Sequence, residues 1–174
     1  MSSGGHIVRR AQAVVIGESS AAPEQLQLAE AVGALVARLG LTLISGGSGG
    51  VMEAACRGAA NAGATTIGIV PSTRLEDANP WCSVVIPTGL GHARNAVTAL
   101  AGDLVIVIGG GAGTLSEIAF AWIHGRPILT LAGSGGWADA VADHPPDARS
   151  SSNITRCADL EALEAAIRRV CRLG

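Results

Sequence analysis

The chain has 174 residues, 48% apolar and 15% charged, with a formal net charge of −2 at pH 7. That length suits one domain with a substantial core, and the slightly acidic balance argues against nucleic acid as the main partner. No apolar stretch reaches the length of a membrane span, and Met1–Arg10 lack the apolar segment of a signal peptide, so a cytoplasmic protein without a membrane partner is expected.

Strand and helix patterns alternate along the chain. Ala11–Ile16 reads as a strand, and Pro23–Leu39 as an amphipathic helix with Pro23 in its first turn and Gly40 as its stop. Leu41–Ile44 is a short strand that runs into Ser45-Gly46-Gly47-Ser48-Gly49-Gly50, followed by a helix over Val51–Ala62 that Gly63 ends. Ala64–Val70 is a strand, Pro71–Pro80 a polar loop, Cys82–Ile86 a strand and Gly91–Ala101 a helix. The strand Asp103–Ile108, the helix Ala112–His124 and the strand Pro127–Leu131 follow. Residues 132–153 are rich in Gly, Ser, Asp and Pro and read as a long surface loop with one helical turn around Trp137. A strand at Ile154–Cys157 and a helix over Asp159–Arg172, with Asp159 as its N-cap, close the chain. This alternation predicts an α/β fold: a doubly wound, Rossmann-like parallel sheet with helices on both faces. Ligands of such folds bind beyond the carboxyl ends of the strands, where strand order reverses, and both glycine loops lie at that end.

The most informative segment is Asp103 to Glu117. The apolar, β-branched run Leu104–Ile108 reads as a buried parallel strand. It stops at Gly109-Gly110-Gly111, and a helix begins near Ala112. A glycine-rich strand-to-helix turn directs unpaired N–H groups and the positive end of a helix dipole at one point, where phosphate binds. Gly110, Gly111 and Gly113 supply such a backbone, Thr114 adds a hydroxyl, and Glu117 lies one turn further on the same face. The competing reading of the glycines is a tight turn that needs small residues.

What the chain lacks also constrains it. It has no tyrosine and no lysine, all twelve basic residues being arginine. A pyridoxal-phosphate enzyme and a Walker A loop each need a lysine, so both are eliminated. Fixed positive charge in a site must come from arginine, which suits bidentate phosphate or carboxylate binding. Cys56, Cys82, Cys157 and Cys171 form no Cys-x-x-Cys pair and have no histidine at ligand spacing, so reduced thiols and no metal are expected. The dinucleotide fingerprint is missing as well. The first strand ends Gly17-Glu18-Ser19-Ser20 where Gly-x-Gly-x-x-Gly should stand, which disfavours NAD. Gly46-Gly47-Ser48-Gly49-Gly50 formally satisfies the Gly-x-Ser-x-Gly nucleophile elbow, yet neither His124 nor His144 follows a late strand as a triad would require. Ser48 is then a small loop residue or a phosphate contact.

Three motifs in order, Gly46-Gly47-Ser48-Gly49-Gly50-Val51-Met52-Glu53, Gly91-His92-Ala93-Arg94-Asn95 and Gly109-Gly110-Gly111-Ala112-Gly113-Thr114-Leu115-Ser116-Glu117, resemble the Lonely Guy (LOG) superfamily, Rossmann-like proteins also described as possible lysine decarboxylases. The likeness runs from the first strand to about Leu131. It implies a homodimer that binds a phosphorylated small molecule and needs no cofactor. The family's enzymes hydrolyse the N-glycosidic bond of nucleoside 5′-monophosphates, and their catalytic arginine and glutamate fall on Arg94 and Glu117. Gly46, Gly47, Ser48, Gly49, Gly110, Gly111, Gly113 and Thr114 would hold the ligand. Two departures stand out. The enzymes' signature places proline where this chain has Gly109, and lysine where it has Asn95. In both respects the chain looks more like the subgroup that includes the molybdenum-cofactor carrier proteins. A phosphoribohydrolase and a carrier of a phosphorylated pterin or nucleotide therefore both remain open. The apolar stripe Leu115, Ile118, Ala119, Trp122 and Ile123 suits burial at a dimer interface.

Overall fold

The computed structural model describes residues 9–147 and 153–173. Its elements in chain order are β1 (Gln12–Gly17), α1 (Pro23–Arg38), β2 (Thr42–Ser45), α2 (Val51–Asn61), β3 (Thr66–Val70), β4 (Val84–Pro87), α3 (Arg94–Leu100), β5 (Leu104–Ile108), α4 (Ala112–Ile123), β6 (Ile128–Leu131), α5 (Gly136–Asp143), β7 (Ile154–Cys157) and α6 (Leu160–Cys171). The seven strands form one parallel sheet in the order β4-β3-β2-β1-β5-β6-β7. This is the doubly wound, Rossmann-like architecture that the alternation predicts. Order reverses between β1 and β5, which run in register from Ala13 beside Leu104 to Gly17 beside Ile108. A crevice therefore opens where these two strands end.

Two-residue periodicity divides the core between the faces of the sheet. Ala13, Val15, Leu43, Leu104, Ile106 and Ile108 pack under α1, α2 and α6, whereas Val14, Ile16, Ile44, Val105 and Val107 pack under α3, α4 and α5. The central strands are buried on both sides, which is why β5 reads as an unbroken apolar run. Glycine lets α1 and α2 cross almost backbone to backbone. A Cβ on Gly33 would collide with the Ala55 carbonyl, and one on Gly58 with that of Glu30. Among the described residues no helix is long and apolar enough to cross a membrane.

The structure differs from the sequence reading in four places. The stretch 132–153 is not simply a loop, because α5 occupies Gly136–Asp143, two full turns rather than one; residues 148–152 lie outside those described. The Trp137 and Ala138 N–H groups donate to the Gly110 and Gly109 carbonyls at 3.1 and 2.9 Å, so a tertiary contact completes the N-terminus of α5. Strand β4 starts at Val84 rather than Cys82, since Ser83 is engaged through side chains, its Oγ accepting the Thr66 N–H at 3.0 Å. The helix expected over Gly91–Ala101 opens as a 3-10 turn, Gly91–Ala93. Finally, the apolar stripe of α4 faces largely inward. Ile118 and Trp122 are buried in the core, and of that stripe only Ile123 is exposed.

Candidate functional site

The crevice where β1 and β5 end is a cleft of about 540 Å³ lined by residues from distant segments of the chain. Gly17, Glu18, Ser19 and Ser20 come from the end of β1, Arg94 and Asn95 from α3, and Gly111, Ala112, Gly113, Thr114 and Glu117 from α4 and its approach. Ser48 and Met52 enter from the first glycine loop and the start of α2, and Pro71 and His92 complete the wall. The fold thus brings together Arg94, Glu117, Ser48, Gly111, Gly113 and Thr114 from distant parts of the sequence. It does not bring every predicted residue to the surface of the cleft. Gly46, Gly47, Gly49 and Gly110 do not line it, though Gly46 and Gly110 make room for Arg94 and Thr114, which do.

The second glycine loop presents free donors. The first helical bond of α4 runs from Leu115 N–H to the Gly111 carbonyl at 2.9 Å, and Gly111 as N-cap has no side chain to offer. The N–H groups of Ala112, Gly113 and Thr114 consequently have no partner within the helix and point from its positive end. Gly110 sits against Thr114: a Cβ there would lie 2.5 Å from the threonine Cγ2, so the small residue lets Thr114 fold over the turn. This is the geometry of an anion site built from backbone.

Arg94 and Glu117 face each other across the cleft floor with 3.6 Å between Nη1 and Oε1, and their residues are 8% and 6% exposed. Burial pushes the Glu117 carboxyl up to about 7, and the Arg94 charge only partly opposes this. Burial likewise lowers the Arg94 guanidinium from its ordinary value. Arg94 Nη1 donates to Thr98 Oγ1 at 3.4 Å, but its buried Nε has no hydrogen-bond partner. A buried, unpaired guanidinium N–H is costly unless something takes it up. Gly46 provides the room for this arginine, because a Cβ at that position would strike Nη1 and Met52 Sδ.

The first glycine loop is held from behind. Gly47 N–H donates to Ser45 Oγ at 3.1 Å, the Gly47 carbonyl accepts Asn79 N–H at 2.7 Å, and Asn79 Nδ2 donates to the Ser48 carbonyl at 3.1 Å. Glu53, half-buried at the start of α2, reaches toward Gly49 rather than the cleft. The sequence reading missed Glu18, Ser19 and Ser20. Their one signal was position, immediately after the strand at which order reverses.

A protein-family model described as the SLOG cluster4 family matches residues 10–163. The chain belongs to that family. Among its relatives, an uncharacterised protein of Archaeoglobus fulgidus is 42% identical over 67% of this chain and 77% of its own. A cytokinin riboside 5′-monophosphate phosphoribohydrolase of Mycobacterium tuberculosis is 34% identical over 68% of each chain. Among solved structures, the molybdenum cofactor binding protein of Rippkaea orientalis superposes with a TM-score of 0.84 at 32% identity, covering 95% of this chain and 99% of that one.

Within this SLOG cluster4 chain the structure explains both departures from the enzymes' motif. Gly109 has φ +59°, whereas a proline ring holds φ near −65°. Its N–H also donates to Ser134 Oγ at 3.0 Å, a bond that proline cannot make. Asn95, in the place of lysine, donates through Nδ2 to Ser116 Oγ at 2.7 Å and to the Gly113 carbonyl at 3.4 Å. It ties α3 to the start of α4 and adds no charge to the cleft.

Proposed function

We propose that the protein binds a nucleoside 5′-monophosphate with its phosphate at the N-terminus of α4 and hydrolyses the N-glycosidic bond. The observation that carries this reading is Glu117, a nearly buried carboxyl held near pKa 7 beside Arg94, on the same wall as the free N–H groups of Ala112, Gly113 and Thr114. As the C1′–N bond breaks, its electron pair leaves with the base and positive charge develops on the ribose. An ionised Glu117 in a dry site stabilises that charge far better than solvent does. Water then forms the new C1′–O bond and gives its proton to Glu117, and that proton passes on to the departing base nitrogen, which returns the carboxylate to its ionised form. Arg94 holds the Glu117 charge in place. Thr114 and the loop amides grip a phosphate that does not change during the reaction.

A second reading, a carrier of molybdenum cofactor or a related phosphorylated ligand, is favoured by Gly109 and by the match to the Rippkaea orientalis protein over nearly its whole length. Purified protein incubated with each common nucleoside monophosphate separates the two. Release of free base from the wild type, lost by on the order of 100-fold or more in Glu117→Gln with binding retained, supports the hydrolase. Tight binding without any free base supports the carrier. Val97 on α3 and Ile123 on α4, exposed at 42% and 54% although apolar, support a homodimer, which sedimentation equilibrium tests.

A further inference from the structure

Glu18 is the residue of the cleft that the motifs leave without a role. Its backbone is clamped where β1 ends: its carbonyl accepts the Val51 N–H at 2.9 Å, and a Cβ on Gly50 would collide with the same oxygen. Its half-buried side chain lines the cleft, and Oε1 accepts the Gly110 N–H at 3.1 Å. Oε2 makes no hydrogen bond and no cation pairs with the carboxylate among the described residues. The carboxylate therefore stands beside the anion loop with one oxygen fixed and the other available. It is an acceptor waiting for a donor, and a negative charge beside a site for negative charge.

We infer that Glu18 determines ligand specificity, accepting hydrogen bonds from the hydroxyls next to the phosphate of a monoester and excluding a second phosphate group. The inference rests on the proposed use of the cleft as a phosphate site. Charge decides its second half. Among the described residues Arg94 is the one arginine that lines the cleft, against two carboxylates, and the chain has no lysine to add. One phosphate is met by the α4 amides and Arg94. A further one would meet the half-buried Glu18 carboxylate, whose like charge repels it. The first half follows from donor chemistry. A carboxylate with a free oxygen binds hydroxyl groups well, and a sugar diol supplies two. The hydroxyls of Ser19 and Ser20 extend this polar side, while Met52 and Pro71 give an apolar lining suited to a flat base.

The test uses ligands that cannot be cleaved: carbocyclic adenosine monophosphate with and without its 2′- and 3′-hydroxyls, its diphosphate, and inorganic phosphate, each titrated calorimetrically. The wild type is expected to bind the diol about tenfold tighter than the analogue without it, the range of a hydrogen bond to a charged group. Glu18→Ala should bring the two to near parity while inorganic phosphate binds as well as before or better. Glu18→Gln, which keeps an acceptor for Gly110 N–H, should bind the diphosphate about tenfold tighter than the wild type does. Phosphate bound with the diol preference unchanged in Glu18→Ala overturns the assignment of Glu18 and leaves the phosphate site standing. Failure of the wild type to bind phosphate or either monophosphate overturns both.

Discussion

Residues 45–50 and 109–113 both connect a strand to a helix at the carboxyl ends of the sheet, yet glycine serves the two loops differently. In the first loop Gly46, Gly47 and Gly50 are forced by what surrounds them. Gly47 has φ +71° and would place a Cβ 2.7 Å from Val70 Cγ1, and Gly46 makes room for Arg94. The loop carbonyls are bound by Asn79, and only Ser48 reaches the cleft. The second loop is divided within itself. Gly109 and Gly110, with φ of +59° and +114°, are anchored through their N–H groups to Ser134 and Glu18 and through their carbonyls to α5. Gly111 and Gly113 are open, with nothing within 4 Å of a Cβ on the first and only Asn95 Nδ2 at 4.0 Å from one on the second. Similar glycine-rich strings thus encode a scaffold in one place and an open, cleft-lining surface in the other. What separates them is that the Gly47 N–H is already bonded, to Ser45, whereas those of Ala112, Gly113 and Thr114 have no partner within their helix.

The anchored half of the second loop gives the largest expected effect. Gly109→Pro must abandon φ +59° and the bond to Ser134, and should destabilise the fold by at least about 3 kcal/mol in chemical denaturation. A variant as stable as the wild type would mean that the anchored and open halves are not distinct. Next in size is the pH dependence that Glu117 brings to stability. Its folded pKa is raised from 4.5 to about 7 by burial, so the folded state prefers the protonated form. The associated stability is fully present below pH 4.5 and is lost as pH rises to about 7, an amplitude of roughly 3 kcal/mol. Glu117→Gln should flatten that part of the stability profile, and should become the more stable protein relative to wild type as pH increases. On the proposed hydrolysis, kcat/KM for base release by the wild type should rise with pH through about 7 as the carboxylate forms.

Much of this was legible because it depends on local pattern. The apolar run Leu104–Ile108 ending in three glycines identifies a buried strand and a turn, and strand–helix alternation fixes the sheet type. The pairing of Arg94 with Glu117 came from motif resemblance, since 23 positions separate them and no periodicity connects the two. Three features were hidden for physical reasons. The helix α5 starts at Gly136 in a polar stretch, and its first N–H groups are satisfied by carbonyls of Gly109 and Gly110, a contact that no local propensity reports. The inward turn of the α4 stripe depends on which face the sheet covers, and Trp122 is held there by its Nε1–H donating to Asp147 Oδ1 at 2.9 Å. Glu18 follows a strand as any surface carboxylate might be expected to do, and only strand order puts it in the crevice.

The first loop supplies the next prediction. Gly47→Ala adds a side chain to a left-handed residue, which costs about 1–2 kcal/mol, and presses on Val70 as well. A total near 2 kcal/mol is expected in thermal or urea unfolding, with no change in phosphate affinity for the folded fraction, because this glycine does not line the cleft.

Gly111→Ala makes the opposite demand on the molecule and is the smallest effect. Gly111 has φ −101° and ψ −154°, an extended conformation open to any residue, and a Cβ there meets open space. Substitution narrows the unfolded ensemble without strain in the fold, so stability should rise by about 0.4–1 kcal/mol. The methyl group nevertheless projects from a residue that lines the cleft beside the free N–H groups of α4. Phosphate binding should therefore weaken even as the protein becomes more stable, and the two signs can be read from one preparation by urea unfolding and calorimetric titration. A loss of stability at Gly111 comparable to that at Gly47 would show that the second loop is scaffold throughout. The contrast between bonded and free N–H groups would then no longer distinguish the two turns.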